Sequence, residues 1–354
     1  MRIIYIASAK SIHSARWINF FTSKNKIVWI TNTEPSRETI KEYNALKQKI
    51  TIYKIYKLKD LLKVVKLLLI DEFSLIHIHY LGWHSLLSIF INHKSNIILT
   101  PWGSDLLVNN SLLKKLWLTF LFKRAAYTIC DSERLKNASI KLGAKKNNIL
   151  VSMFGINTKS YKASRTVFSE NKKIVVGSNR KLEKIYDIST LLKTAKSICQ
   201  KRNDIIFLIA GDGSLKSEFK KFVNKEKLNK KILFLGLLNK KEMYNFYNKI
   251  DIYVSTSLSD GGLSSSIAEA MSFERIVIAT NNSDNSLWIK NNKNGYLFNN
   301  KDTYKLEEII ELILKNKKKN INLGKSARKI IEQNYSYEKE MYKVDAIYKR
   351  FSVI

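Results

Sequence analysis

Residues 251–271 read DIYVSTSLSDGGLSSSIAEAM. Asp251 to Ser255 is apolar and β-rich, the pattern of a short buried strand. Asp260, Gly261 and Gly262 follow in a small, flexible turn. Ser264 to Ser272 then opens an amphipathic helix that carries Glu269 in its second or third turn. Strand, glycine turn and helix start together form an anion site in doubly wound folds, because free backbone N–H groups and the helix dipole face one point. Asp260 and Glu269 flank that point, and carboxylates bind sugar hydroxyls through charge-assisted hydrogen bonds. A cleft with N–H groups for phosphate and carboxylates for hydroxyls suits a nucleotide sugar. The same residues also suit an ordinary capped β-turn-α connection, so the rest of the chain has to decide.

Outward from this stretch, strands and helices alternate in both directions. Before it, strands are expected at 3–7, 27–31, 51–55, 75–79, 96–100, 127–130 and 148–151, with helices at 14–21, 58–70, 83–91, 111–124 and 133–141. Residues 153–171 are polar, aperiodic and long enough to link two domains. The alternation then restarts, with strands at 173–178, 205–210, 231–235, 251–255, 275–280 and 295–298. Helices are expected at 188–200, 214–226, 240–249, 306–315, 323–333 and 337–350. Such alternation implies α/β architecture, with two parallel sheets covered by helices on both faces. Doubly wound domains hold ligands at the carboxyl ends of their strands, so two facing domains would line a shared cleft.

Composition agrees. A chain of 354 residues, 45% hydrophobic and 11% aromatic, can fill two cores. The net charge of +32 is spread over both halves, so it is not a tail. AT-rich coding would enrich Lys, Asn and Ile together and account for part of it. The remainder favours an anionic partner: a phosphate-bearing substrate, an anionic lipid surface or nucleic acid. Cys130 and Cys199 lack CxxC spacing and read as buried, reduced thiols of a cytosolic protein. MRIIYIASAK reads as a first strand rather than a signal peptide. No run approaches the roughly 18 apolar residues of a membrane span. A cytoplasmic protein is expected, peripheral on the inner membrane's cytoplasmic face.

The ordered set VVGSNRKLEKIYD, LIAGDG, ILFLG, DIYVSTS…DGGLSSS…EAM, VIAT and NGYLF resembles the retaining glycosyltransferases of family 4, the glycosyl transferases group 1. SIHSARWINF, HIHYLGW, TPWGSD and MFGIN are similar to landmarks of the same family in the N-terminal half. The resemblance covers nearly the whole length and implies the GT-B fold: two Rossmann-like doubly wound domains facing a cleft, with a C-terminal helix crossing back. It implies an acceptor-binding domain at 1–160, a donor-nucleotide domain at 161–335, and a last helix at 336–354 packing on the first domain.

The resemblance also implies site residues. Arg180 and a lysine grip the donor diphosphate and offset charge on the departing nucleotide, a role for fixed cations. The loop is about two residues longer than the family spacing, so Lys181 and Lys184 compete, with Lys184 favoured. For either lysine the alternative is a solvated surface charge. Gly211 and Gly213 allow a tight turn near the nucleotide, and Leu235 and Gly236 bound the base. Glu269 holds the ribose hydroxyls. The family's second Glu falls on Gly261 here, so Asp260 is expected to contact the sugar, with backbone N–H groups of Gly262, Leu263 and Ser264 on the diphosphate or sugar. On the acceptor side, His77 and His79 share one strand face; His79 lies by the acceptor, and core packing is the alternative for His77. Trp102 and Asp105 match an HGSD-like turn with Trp in the His position, and His13 and Arg16 are acceptor or phosphate candidates. No third ligand accompanies the His pair, so no metal site is expected.

The implied reaction uses no cofactor and takes a nucleoside-diphosphate sugar, UDP-linked by preference, as donor, with a saccharide or lipid-linked saccharide as acceptor. No protein nucleophile is expected. Residues 58–70 and 111–124 pair lysines with apolar and aromatic side chains and can lie on an anionic inner-membrane surface. Packing against the sheet explains the same pattern. Two rivals remain: a GT-B sugar-nucleotide epimerase, and a non-catalytic nucleic-acid or scaffold protein suggested by charge alone. No nucleic-acid motif is present, so no nucleic-acid partner is expected.

Overall fold

Long β-branched runs without polar interruption form strands that bury both faces, which is the condition of a parallel sheet. The computed structural model describes residues 1–37, 39–70, 75–108, 111–152, 155–169, 173–260, 262–282 and 284–351. The chain divides into two compact units, Met1–Phe154 with Lys339–Ile354, and Gly155–Glu338.

The first unit contains β1 (Arg2–Ile6), α1 (Ile12–Phe21), β2 (Lys26–Thr31), α2 (Ile40–Lys47), β3 (Thr51–Lys54), α3 (Leu58–Ile70) and β4 (Leu75–His79). A 3₁₀ helix (Trp83–Phe90) leads to β5 (Asn96–Thr100), α4 (Ser104–Leu107), α5 (Leu112–Arg124), β6 (Tyr127–Cys130), α6 (Glu133–Lys141) and β7 (Ile149–Val151). The strands order as β3-β2-β1-β4-β5-β6-β7, all parallel. The order reverses between β1 and β4.

The second unit contains β8 (Ile174–Ser178), α7 (Ile188–Lys201), β9 (Ile205–Ala210), α8 (Lys216–Lys225), β10 (Ile232–Gly236), α9 (Lys240–Lys249) and β11 (Ile252–Ser255). It continues with α10 (Ser265–Ser272), β12 (Ile276–Thr280), α11 (Asn285–Trp288), β13 (Tyr296–Phe298), α12 (Thr303–Lys315) and α13 (Lys317–Asn334). Its parallel sheet runs β10-β9-β8-β11-β12-β13, reversing between β8 and β11. The last helix, α14 (Tyr337–Arg350), begins in the second unit and enters the first at Lys339.

Four elements differ from the expectation, one of them α4, a single unexpected turn after β5. Residues 83–91 read as an α-helix but form a 3₁₀ helix, in which the Ser85 hydroxyl donates to the Gly82 carbonyl at 2.6 Å and Arg124 donates to the carbonyls of Ser88 and Ile91. α2 gave no apolar signal because it buries only Tyr43 and Leu46, and α11 is one turn long. The break between units also falls earlier than residue 160. Three arginines hold residues 155–168 to the second unit. Arg165 donates to the carbonyls of Asn248 (2.6 Å) and Lys249 (2.5 Å) and pairs with Asp251 at 2.9 Å. Arg328 donates to the carbonyls of Tyr161 and Ser272, and buried Arg275 to that of Arg165.

A buried polar cluster ties α14 to the first sheet. The Tyr348 hydroxyl bonds His77 Nδ1, accepts from Trp17 Nε1 at 3.1 Å and lies 3.1 Å from the Tyr5 hydroxyl. His77 Nε2 meets the Thr100 hydroxyl at 2.6 Å. Removing one shared oxygen takes a hydrogen-bond partner from three buried groups, so Tyr348→Phe should cost about 2 kcal/mol in urea unfolding; an unchanged midpoint would show that the cluster carries no stability.

The histidines add a pH dependence. Burial, aided by Arg16, lowers His13 to about 4; burial, aided by His84, lowers His79 to about 3; burial and then His79 hold His77 well below its usual value. A base with a depressed folded pKa contributes stability above its unfolded value, here 6.5, and loses it as pH falls through the folded value. The melting temperature should therefore drop from neutral pH toward about 4. His77→Gln and His79→Gln should flatten that drop if these rings cause it.

Candidate active site

Doubly wound sheets place ligands at the carboxyl ends of strands where the strand order reverses. In the second unit that point lies between β8 and β11, and the two segments leaving these strands carry Arg180 and Asp260. Thr256 donates its hydroxyl to the Tyr186 carbonyl at 2.9 Å, and the Leu258 amide donates to Ile185 at 2.8 Å, so the two segments are stitched together.

Arg180 is buried. Its Nη1 donates to the Ser266 hydroxyl at 2.9 Å, its Nη2 pairs with Asp260, and its guanidinium lies 4.5 Å from the Tyr186 ring centre. Nε is buried with no hydrogen-bond partner. Burial raises the Asp260 carboxyl above its usual range, and the Arg180 charge opposes that rise. Ser266 stands in the first turn of α10, where Ser264 caps the helix by accepting from the Ile267 amide at 3.4 Å. Less than one turn later on the same helix, half-buried Glu269 accepts from the Tyr247 hydroxyl at 2.8 Å. Asn179 Nδ2 donates to that hydroxyl at 2.8 Å, and its Oδ1 is buried without a partner. Burial, with Glu269 next, holds Tyr247 protonated well above its usual value. Tyr253, buried beside them, is raised to about 12 by burial. One connected polar network therefore joins Asn179, Arg180, Tyr247, Asp260, Ser266 and Glu269.

The other expected donor-side residues fall around it. Gly211 has φ +124°, and a Cβ there would collide with the Arg180 carbonyl oxygen; a Cβ on Gly213 would lie 2.5 Å from the Leu182 oxygen. The two glycines let their loop press against the backbone of the Arg180 loop, sealed by Leu182 N–H donating to Asp212 O at 3.0 Å. Gly236 accepts from the Gly211 amide at 2.7 Å, while Leu235 is 40% exposed on the edge strand β10. Leu263 is buried and Gly262 half-buried ahead of α10. Lys181 and Lys184 are both exposed, and Lys184 opens a 3₁₀ turn to Tyr186. Gly261 lies outside the described residues.

In the first unit the expected acceptor-side residues gather at the β1/β4 switch point, but several are inward-facing. His79 has no exposed surface, bonds the Ser14 hydroxyl through Nδ1 at 3.1 Å and packs edge-on against Trp17 and Tyr5. It sits beneath the loops and positions Ser14. Buried Asp105 accepts from the amides of Leu81 (2.8 Å) and Trp102 (3.0 Å), tying together the loops after β4 and β5. Its carboxyl is raised by burial and pulled back by those amides. His13 stands edge-on to Trp102, ring centres 5.8 Å apart, with Arg16 exposed on the same helix.

Tyr247, Ser266 and Asn179 were not singled out from sequence. A Tyr in FYN at helical spacing reads as core, and only the fold reveals its hydroxyl's partners. Among the described residues no cluster of three metal-ligating side chains exists, and no helix is long and apolar enough to cross a membrane. A groove of about 780 Å³ lined by Arg165, Lys173, Tyr244 and Asn248 lies at the amino ends of β8 and β11, the opposite end of the sheet from Arg180.

Arg180→Ala takes from buried Asp260 its ion-pair partner, a loss of about 3 kcal/mol at neutral pH. An acid whose folded pKa is raised keeps its full contribution below the unfolded value and loses it as pH rises through the folded one. The gap between variant and parent should thus be small in acid and widen toward neutrality. A gap independent of pH would deny the pairing. Gly211→Ala should destabilise by several times the ~1 kcal/mol of an ordinary Gly position, because strain and collision add, read as a drop in melting temperature.

Comparison with known proteins places this geometry in context. The glycosyl transferases group 1 model matches residues 161–330, and the glycosyl transferase 4-like model matches residues 2–132. An uncharacterized glycosyltransferase of Methanocaldococcus jannaschii is 24% identical over 240 residues, covering 65% of this chain and 60% of that protein. The poly(ribitol-phosphate) alpha-N-acetylglucosaminyltransferase of Staphylococcus aureus is 29% identical over 166 residues, 46% of this chain and 33% of its own length. The chain thus spans less than two thirds of either relative. Anabaena HepE, solved in complex with UDP, shares the fold with a TM-score of 0.81 and 16% identity over 99% of this chain and 100% of that one.

Proposed function

The chain belongs to the glycosyl transferases group 1, with the two-domain GT-B fold, and from that premise we propose that it is a retaining glycosyltransferase that moves a hexosyl or N-acetylhexosaminyl group from a UDP-sugar to a saccharide or lipid-linked saccharide. The second unit takes the donor and the first the acceptor. The observation that carries this reading is the network at the β8/β11 switch point, in which a buried guanidinium, two carboxylates and a helix start share one polar cluster. UDP bound to Anabaena HepE supports the choice of nucleotide.

In this reading Arg180 exchanges Asp260 for donor phosphate, helped by exposed Lys184 or Lys181. The freed Asp260 turns to the sugar hydroxyls, and Glu269, held by Tyr247, takes the ribose hydroxyls. Amides of Gly262, Leu263 and Ser264 complete the anion site. The anomeric C–O bond breaks while the acceptor oxygen bonds the same carbon from the same face. The acceptor proton passes to the departing phosphate oxygen. Fixed cations stabilise the negative charge on the leaving group, so the chemistry asks for position and charge rather than a protein nucleophile. The setting is assembly of bacterial surface polysaccharide or lipopolysaccharide on the cytoplasmic face of the inner membrane.

UDP-, GDP-, ADP- and CMP-sugars mixed singly with the protein separate the donors. A UDP-sugar near a hundredfold above its Kd should stabilise by about 2.7 kcal/mol in thermal unfolding. Glu269→Ala should abolish that shift, and Tyr247→Phe should weaken donor binding about tenfold and cost the unliganded fold about 2 kcal/mol, because the same hydroxyl also serves Asn179 and the Ser266 carbonyl. No shift with any donor from a folded protein would overturn the proposal.

A further inference from the structure

One layer of the first unit is apolar on both sides. The connections β3→β4, β4→β5 and β5→β6 all advance in one direction across the sheet, so right-handed crossover puts α3, the 3₁₀ helix and α5 on one face. Their inner sides share a single core, through Val64 and Leu68, Leu87, and Leu118 and Phe122. A surface helix ordinarily turns polar residues outward. These do not. On α3, Leu58, Leu62 and Leu69 recur at helical spacing and are 71%, 61% and 52% exposed. On the 3₁₀ helix, Trp83, Leu86 and Ile89 repeat every third residue, the eclipsed spacing of that helix, and Trp83 is 86% exposed. On α5, exposed Leu112, Leu116 and Phe120 follow one another by four.

The three stripes belong to one surface. Trp117 Nε1 donates to the Ser85 hydroxyl at 3.0 Å, Arg124 donates to the carbonyls of Ser88 and Ile91, and the Asn92 amide donates to Leu68 O at 3.0 Å. Around them Lys59, Lys63, Lys66, Lys115 and Lys123 are exposed. The sole carboxylate within these three elements, Asp60, accepts from the Lys57 amide at 3.1 Å and caps the start of α3.

We propose that this face docks the protein on a bilayer bearing anionic lipid head groups. Leucines, Trp83 and Phe120 would enter the boundary between head groups and acyl chains, while the lysine stems run beside them and keep their ammonium groups among phosphates. A second copy fits poorly, because a two-fold contact would set lysine against lysine with only Asp60, at the start of α3, to offset them. The surface deepens the reading of a lipid-linked acceptor and rests on that reading for its biological purpose.

Flotation of the 354-residue chain with vesicles tests it, using phosphatidylcholine alone and phosphatidylcholine mixed equally with phosphatidylglycerol. The parent should float with the mixed vesicles and not with the neutral ones. The triple variant Trp83→Ala, Leu112→Ser, Leu116→Ser should lose binding by on the order of tenfold per residue. Lys318→Glu with Lys319→Glu, exposed on α13 in the other unit, should bind like the parent. UDP-sugar stabilisation, measured on the same samples, reports folding and the donor site separately from docking. If the triple variant floats like the parent, net charge alone is responsible and the proposal fails. It fails equally if the parent ignores both vesicles with its donor response intact, or if the parent is a dimer that the triple variant converts to monomer.

Discussion

A guanidinium buried where the strand order reverses sets the terms for the second unit. Arg180 leaves water at the carboxyl end of β8, and a charge in that position must be compensated. Asp260 supplies the opposite charge, Ser266 a hydroxyl and Tyr186 an aromatic face. Each comes from a separate segment, so placing the cation places the segments. Ser266 belongs to α10, and α10 also carries Glu269. Tyr247 reaches the same helix from α9. The glycines of residues 211 and 213 make sense only against this loop, since side chains there would push the Arg180 backbone away. A site arranged around a diphosphate needs such a cation fixed before the ligand arrives, because reorganising a buried charge during reaction would forfeit its electrostatic advantage.

The first unit solves the equivalent position differently. At its switch point the charges are few and the rings many: His77, His79, Trp17, Tyr5 and Tyr348 pack with centres about 4.4 to 5.7 Å apart. Neutral imidazoles accept and donate within that cluster without the desolvation cost of a cation, which is why burial lowers their proton affinity so far. α14 contributes Tyr348 from the far end of the chain, so the first unit's core is complete only when the last helix is in place.

How much of this was legible beforehand depends on where the information sits. IIYI, IVVGS and IYVS are buried on both faces and betray themselves as apolar runs bounded by turns. α2, with two buried residues, has no such signature. Arg180 and Glu269 stand out in the sequence because they follow a strand end and a helix start at readable spacing. Tyr247 could not, since nothing local separates a core ring from one whose hydroxyl fixes a carboxylate. His79 and Asp105 show the converse: both occupy motif positions, yet one lies under Ser14 and the other caps two loops. Spacing locates a loop, and tertiary contact decides whether its side chain faces outward.

The charge excess reads differently once the side chains are placed. Lysines scattered over a surface raise solubility and attract anions of any kind. On α3 and α5 they border exposed leucines, and that combination opposes solubility rather than serving it. A helix needs one apolar face to pack on a sheet; a second, at regular spacing on three neighbouring elements, costs free energy in water that packing within the unit does not offset. Coding bias can enrich Lys and Ile, but it has no means of placing Leu58, Leu62 and Leu69 on one stripe and lysines on the next. The positions, rather than the composition, therefore distinguish a surface shaped for an anionic, apolar environment from a merely basic one.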